Sequence, residues 1–290
     1  MRLLEFLITE KEAGRTVKSI ARQEMHLSST QFKSLKYKGG IQVDGRIARA
    51  DERLQPGKRV VICFLDEGSP VMPYDLPLII PYQDDDFFIV DKPAPLPSIS
   101  SVHQQGATLE NALFSHLGCP ENYVYRPVNR LDKGTSGLMA VARNAHAQQC
   151  LQKMLHSDAF IREYLAVCEG EMREDTGVID LPILDPETGI RRVIDPSGRP
   201  ARTHFQALQR KNNRTLLRLR LETGRTHQIR VHLSYLGYPI TGDFLYGSEH
   251  PALPGRFALH SCLIRFQQPI TKNEVIVNSD LPIEIQALLN

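Results

Sequence analysis

Residues 203–208 and 216–221 alternate apolar and polar side chains on either side of Asn212-Asn213. Period-two alternation, broken by two residues that tolerate a left-handed backbone, describes an antiparallel hairpin with one buried face. Such a hairpin needs a second layer to cover that face. Strand-length apolar segments also occur at residues 79–82, 87–90, 137–142, 160–167, 258–266 and 274–277, and amphipathic helical stretches at residues 108–117, 144–156 and 226–236. Thr226 reads as the cap of the last helix, and Gly237 and Pro239 close it. The mixture predicts an α+β body built on a mainly antiparallel sheet. With 290 residues, 41% of them hydrophobic, the chain has material for a sizeable core. No apolar run approaches the ~18–20 residues of a membrane span. The opening MRLLEFLITEKEAG places Glu5 inside any signal-like core and offers no small-residue cleavage site, so a cytoplasmic protein is expected.

The charge is uneven. Residues 1–65 hold 13 Lys and Arg against 7 Asp and Glu, a balance of +6; the remainder hold 22 against 26, a balance of −4. A basic head on a slightly acidic body points to an anionic partner for the head, with a solvated basic face as the alternative. Within the head, Val17–Gln23 and residues 29–36 read as short helices, with Thr16 and the hydroxyls of Ser28-Ser29-Thr30 placed to cap them. Gly39-Gly40 stops the second. Strand Ile41–Val43, the turn Asp44-Gly45, a return over residues 46–48 and a strand over residues 59–64 follow. Residues 66–79, rich in turn formers, read as a linker to a second domain over residues 80–290. The order of helix, helix and hairpin, followed by LQPGKRVVI, resembles the S-four type of RNA-binding domain. In that domain the second helix and the hairpin form a basic surface for structured RNA. The resemblance places Lys33, Lys36, Lys38, Arg46 and Arg49 on that surface.

Five cysteines, widely spaced and without a CxxC pair, argue for free thiols rather than a disulfide framework or a zinc ribbon. His227 and His232 stand at i, i+5, wrong for two ligands on one helical face, and there is no HExxH. No metal site is expected. Absence of GxGxxG and P-loop motifs agrees with chemistry that needs no cofactor.

Two stretches carry candidate chemistry. In RLDKGTSGL (residues 130–138), Asp132 sits in a small polar turn directly before a strand. An aspartate there is commonly a turn residue, yet a carboxylate anchored beside a strand is also well positioned for catalysis. In LETGRTHQIRVHL (residues 221–233), Ile229, Leu233 and Leu236 form one buried helical stripe with Arg230 beside it. A partly buried arginine needs an anion, and Asp132 is a natural partner. Arg225 and Thr226, at the helix start, are placed to meet a phosphate through backbone N–H groups; a surface arginine is the alternative for Arg225.

Together with DDDFFIVDKPAPLPS (residues 84–98), IREYLAVCEG (161–170) and GYPITGDFLYG (237–247), these stretches resemble the RluA family of RNA pseudouridine synthases from about residue 80 to the C-terminus. The resemblance implies a sheet of the pseudouridine synthase type and a reaction. The N-glycosidic bond of a uridine in RNA is cut, the uracil turns, and it rejoins through carbon 5. By the same resemblance Asp132 is the catalytic aspartate, Tyr164 stacks on the base and is a candidate to take the carbon-5 proton, and Arg230 pairs with Asp132. Arg130 fills the space left in the RNA stack, and Leu259 walls the pocket. Asn129 stands where the family carries histidine, and Arg162 where it carries lysine, differences that bear on substrate positioning. Whether Asp132 attacks the sugar or removes a proton from carbon 2′ stays open. Structured RNA is the expected partner, ribosomal RNA first and transfer RNA second, with the protein a monomer. The rival readings are a catalytically inactive RNA-binding or ribosome-assembly protein, and a hydrolytic glycosylase that would release free uracil.

Overall fold

The computed structural model describes residues 3–64, 68, 70–101, 106–155, 157–187 and 189–290. Contacts divide the chain into two units: Met1–Ser69 with Glu121–Val124 and Arg143–His146, and the remainder.

The first unit comprises β1 (Leu3–Leu7), α1 (Val17–Gln23), α2 (Ser29–Tyr37), β2 (Ile41–Val43), β3 (Arg46–Ile47) and β4 (Arg59–Cys63). Its antiparallel sheet has the order β1-β4-β2-β3. The helices start where the hydroxyls predict. Thr16 accepts from the Ser19 N–H, and Ser28 forms a capping box with Gln31. Asp44 and Gly45, with φ of 46° and 82°, make the tight turn that the right-handed strand twist favours. Val17, Ile20, Phe32, Leu35, Val60 and Ile62 fill the core. β1 was not foreseen, because only alternate residues of LLEFL are even half-buried and its pairing with β4 is distant in sequence. Lys33, Lys36 and Lys38 are exposed, as expected of a basic face. Arg46 is instead committed to an ion pair with Glu52, and Arg49 Nε lies 3.8 Å from Asp51 Oδ1, so part of the expected charge is already neutralised.

The second unit continues with β5 (Ile79–Gln83), β6 (Phe87–Lys92), α3 (Leu109–His116), β7 (Ser136–Ala142), α4 (Ala145–Met154, from Ala147 onward in this unit), β8 (Phe160–Glu169), β9 (Thr176–Asp180), β10 (Ile183–Leu184), β11 (Val193–Ile194), β12 (Arg202–Lys211), β13 (Arg214–Leu221), α5 (Gln228–Tyr235), β14 (Leu259–Gln267), β15 (Glu274–Asn278) and α6 (Ile283–Gln286). Nine strands form one sheet in the order β5-β6-β7-β14-β8-β13-β12-β9, with β15 also on β14. Among the described residues every pairing in it is antiparallel except β7 with β14. This is the expected mixed α+β architecture.

The runs FFIV and GLMAVA are continuously apolar because both faces of β6 and β7 are covered. Phe88, Val90, Met139 and Val141 join one core with Leu109 and Leu113 of α3 and Ile229 and Leu233 of α5. Phe87, Ile89, Leu138 and Ala140 join another with Ala147 and Leu151 of α4. The hairpin β12–β13 turns at Asn212 and Asn213, both with positive φ, and pairs Phe205 with Leu219 and Ala207 with Leu217 before a bulge at Leu208.

Three expectations change. α5 begins at Gln228 and its N-cap is His227, in a left-handed conformation (φ 58°), not Thr226. Of the linker, residues 66, 67 and 69 lie outside the described residues; from residue 70 the chain belongs to the second unit, where Tyr74, Leu76 and Leu78 pack on the core and the Met72 carbonyl accepts from Asn111 Nδ2 at 2.8 Å. α4 ends at Met154, and His156 lies outside the described residues.

The single parallel contact of the sheet depends on Gly137. Its φ is +104°, and an added Cβ would stand 2.3 Å from the Ser261 carbonyl oxygen. Gly137→Ala is expected to lower unfolding free energy by about 2–4 kcal/mol, from backbone strain plus overpacking. Denaturant midpoints test this; an unchanged midpoint would show that β7 and β14 need no such close approach.

Candidate active site

Asp132 stands on the turn before β7, and local contacts fix that turn. Ser98 Oγ donates to the Leu131 carbonyl at 2.6 Å and accepts from the Leu131 N–H at 3.1 Å, while Thr135 N–H closes on the Asp132 carbonyl. Gly134 lies against the Phe257 ring so closely that a Cβ would come within 2.6 Å of it. Behind the turn, fully buried Lys92 donates to the carbonyls of Leu96 (2.7 Å) and Pro93 (3.1 Å). Burial pulls its pKa down to about 7, with Asp132 acting in the opposite direction.

α5 brings Arg230 to the same place. Its Nη1 donates to Asp132 Oδ2 at 2.9 Å, and its Nε and Nη2 clasp Asp243 at 2.7 and 2.8 Å. Asp243 is fully buried and accepts as well from the N–H groups of Leu245 and Tyr246. The guanidinium sits between the rings of Phe257 (4.3 Å) and Tyr246 (5.0 Å). Burial disfavours its charge, but the two carboxylates outweigh that and raise its pKa. Asp132 alone of the three keeps access to solvent: its side chain is 27% exposed, against 4% for Arg230 and 0% for Asp243.

That carboxylate opens into a cleft of about 500 Å³ whose walls include Arg130, Tyr164, Arg225 and Leu259, so the expected site residues of the second unit converge. Tyr164 and Leu259 are buried and Arg130 is exposed. Burial pushes the Tyr164 phenol up, which keeps it protonated near neutrality. Of the phosphate site expected at the backbone N–H groups of Arg225 and Thr226, the Arg225 N–H is already engaged: it donates to Gln228 Oε1 at 2.9 Å, and the Arg225 Nε donates to the Pro200 carbonyl. The left-handed His227 interrupts the helix start that this expectation required.

Sequence reasoning passed over two residues. Asp243 had only its place in GYPITGDFLYG as a signal. His227 carries no sequence signal beyond a spacing from His232 that is wrong for a metal pair; its Nε2 lies 3.9 Å from Asp132 Oδ2, and its Nδ1 lies 2.9 Å from the Tyr246 hydroxyl, which accepts from the Arg192 N–H. Burial lowers the pKa of His227, so a neutral ring faces Asp132.

Known proteins share this arrangement of sequence and fold. A model of the RNA pseudouridylate synthase family matches residues 86–235. The chain is 35% identical over 288 residues to YlyB of Bacillus subtilis (strain 168), described as an uncharacterized RNA pseudouridine synthase, across 97% of this chain and 94% of that protein. It is 33% identical over 301 residues to ribosomal large subunit pseudouridine synthase D of Escherichia coli (strain K12), across 97% and 92%. The solved structure of human RNA pseudouridylate synthase domain containing 1 superposes with a TM-score of 0.58 at 26% identity, covering 70% of this chain and 83% of that one.

Two buried imidazoles, His232 and His260, and the half-buried His227 set an acid limit. Desolvation lowers the pKa of His227, His232 and His260 from 6.5. Below that value the unfolded chain takes up protons that the folded chain refuses, so their penalty is absent above pH 6.5 and grows as pH falls. Melting temperature is expected to decline between pH 6.5 and about 5, and His232→Gln to make the decline shallower. A melting temperature constant across that window would contradict it.

Proposed function

The chain belongs to the RNA pseudouridylate synthase family, and on that footing we propose that it isomerises uridines in ribosomal RNA with Asp132 as the group that acts on the sugar. As a member of the family it is an RNA pseudouridine synthase, an isomerase that acts on RNA. The observation that carries the residue assignment is the carboxylate held by Arg230 at 2.9 Å at the mouth of a nucleotide-sized cleft.

A uridine within folded RNA has to leave its stack before its sugar is reachable, at a cost of about a few kcal/mol. Arg130, exposed at the rim, is the side chain placed to occupy the vacated position, since a guanidinium plane stacks on bases. The everted uracil then lies on Tyr164, with Leu259 as an apolar wall. Asp132 has to act as a carboxylate, whether it bonds to carbon 1′ or removes a proton from carbon 2′, and Arg230 fixes its direction. The protonated state of Tyr164 suits a packing and hydrogen-bonding role.

Ribosomal RNA is the preferred substrate because the Escherichia coli relative is named for the large ribosomal subunit; transfer RNA comes second. The first unit, read as an S-four-like domain, adds affinity through Lys33, Lys36 and Lys38. We place the protein in the cytoplasm as a monomer; among the described residues no helix is long and apolar enough to cross a membrane.

Ribosomal RNA transcribed in vitro with tritium at uracil carbon 5 tests the assignment. Wild type should release tritium without free uracil. Asp132→Asn should lower the rate by at least about a thousandfold while still binding RNA. Release at the wild-type rate by that variant would remove Asp132 from the mechanism. Replacing Lys33, Lys36 and Lys38 with alanine should weaken binding and reduce the salt dependence by about two to three phosphate contacts. An unchanged salt slope would remove those lysines from the RNA interface.

A further inference from the structure

Arg162 is an unbalanced charge in this cleft. It lies on β8 two residues before Tyr164, on the same inward face of the strand, is 5% exposed, and lines the cleft. Its Nε is buried without a hydrogen-bond partner, and among the described residues no carboxylate stands within 4 Å of its guanidinium. The terminal nitrogens lie beside Gly224, where even an added Cβ would stand 3.4 Å from Nη1. Two other buried arginines here are neutralised: Arg230 by Asp132 and Asp243, Arg256 by Glu284. A buried, unpaired guanidinium is costly, and a fold tolerates one where a ligand brings the missing negative charge.

The position of Arg162 selects which charge that is. Phosphates of a bound strand stay hydrated at the rim, beside exposed Arg130 and Lys133. Arg162 belongs to the sheet floor, next to the tyrosine on which the everted base rests. A strand spaces alternate side chains by about 6.6–6.8 Å, the distance from beneath a pyrimidine ring to beyond its edge.

We propose that Arg162 donates to a carbonyl edge of the everted uracil and carries its negative charge while the base is detached from the sugar. This rests on the reading that uridine enters at Asp132. When the N1–C1′ bond breaks, its electron pair stays with uracil, which becomes an anion spread over N1, O2 and O4. Carbon 5 then bonds to C1′ with a ring electron pair, the carbon-5 proton leaves to a base, and N1 takes up a proton, so the overall change is an isomerisation. Charge that develops during the step is stabilised most by a donor already fixed in a dry site.

Single-turnover tritium release from the same transcript, at saturating enzyme, together with RNA dissociation constants and melting curves, tests this for Arg162→Met and Arg162→Lys. Arg162→Met should lose about a hundredfold or more in rate with its dissociation constant within about threefold of wild type; Arg162→Lys, which keeps the charge, should recover part of the loss. If Arg162→Met does not fold, Arg162→Lys decides, with an expected loss of about tenfold at unchanged affinity. A wild-type rate in the deciding variant overturns the proposal. So does weakened binding with a normal rate at saturation, which would make Arg162 a phosphate anchor, and so does a lysine variant no better than methionine. Failure of wild type to release tritium would instead overturn the functional reading itself, and this inference with it.

Discussion

Arg230 is shared by two carboxylates, and the geometry of the cleft follows from how it is divided. Asp243 takes Nε and Nη2, leaving Nη1 for Asp132. Asp243 is itself fixed by the N–H groups of Leu245 and Tyr246, so the guanidinium has one orientation, and two aromatic rings close over its faces. A lone buried Arg–Asp pair would gain little after desolvation. Here the second carboxylate anchors the arginine so that the first can stay partly exposed and reactive.

The sheet supplies the frame for that division. β7 carries the Asp132 turn, β8 carries Arg162 and Tyr164, and β14 lies between them with Leu259 at its start. β7 and β14 pair in parallel through Gly137 and Ser261, where only a glycine fits. α5 is tied to β12 by a buried polar cluster: Gln228 Nε2 donates to Thr203 Oγ1, and His232 lies 2.9 Å from the same hydroxyl. Arg230 is thus delivered by a helix that has little freedom to slide.

Much of this was legible in the chain. The stripe Ile229-Leu233 announced a helix with Arg230 at its edge, and the turn before residues 137–142 announced a positioned Asp132, because hydrophobic periodicity is local and strong. What escaped depends on long-range geometry. Asp243 lies in a loop where nothing periodic marks an aspartate that will be buried. His227 adopts a positive φ that its residue type does not advertise, and that moved the helix start away from Thr226. The ion pair of Arg46 with Glu52 is also invisible to a count of basic residues. In the sequence Arg162 is marked only by standing where lysine is usual; its lack of an anion emerges once its neighbours are in place.

Replacing Arg230 by lysine tests the central claim most directly, because an ammonium keeps the charge but cannot clasp Asp243 with two nitrogens and still reach Asp132. With folding verified and RNA saturating, the account predicts that the single-turnover isomerisation rate of Arg230→Lys falls by about a hundredfold while affinity for RNA holds. A lysine variant that turns over its bound RNA as fast as wild type would contradict it, since any nearby positive charge would then suffice.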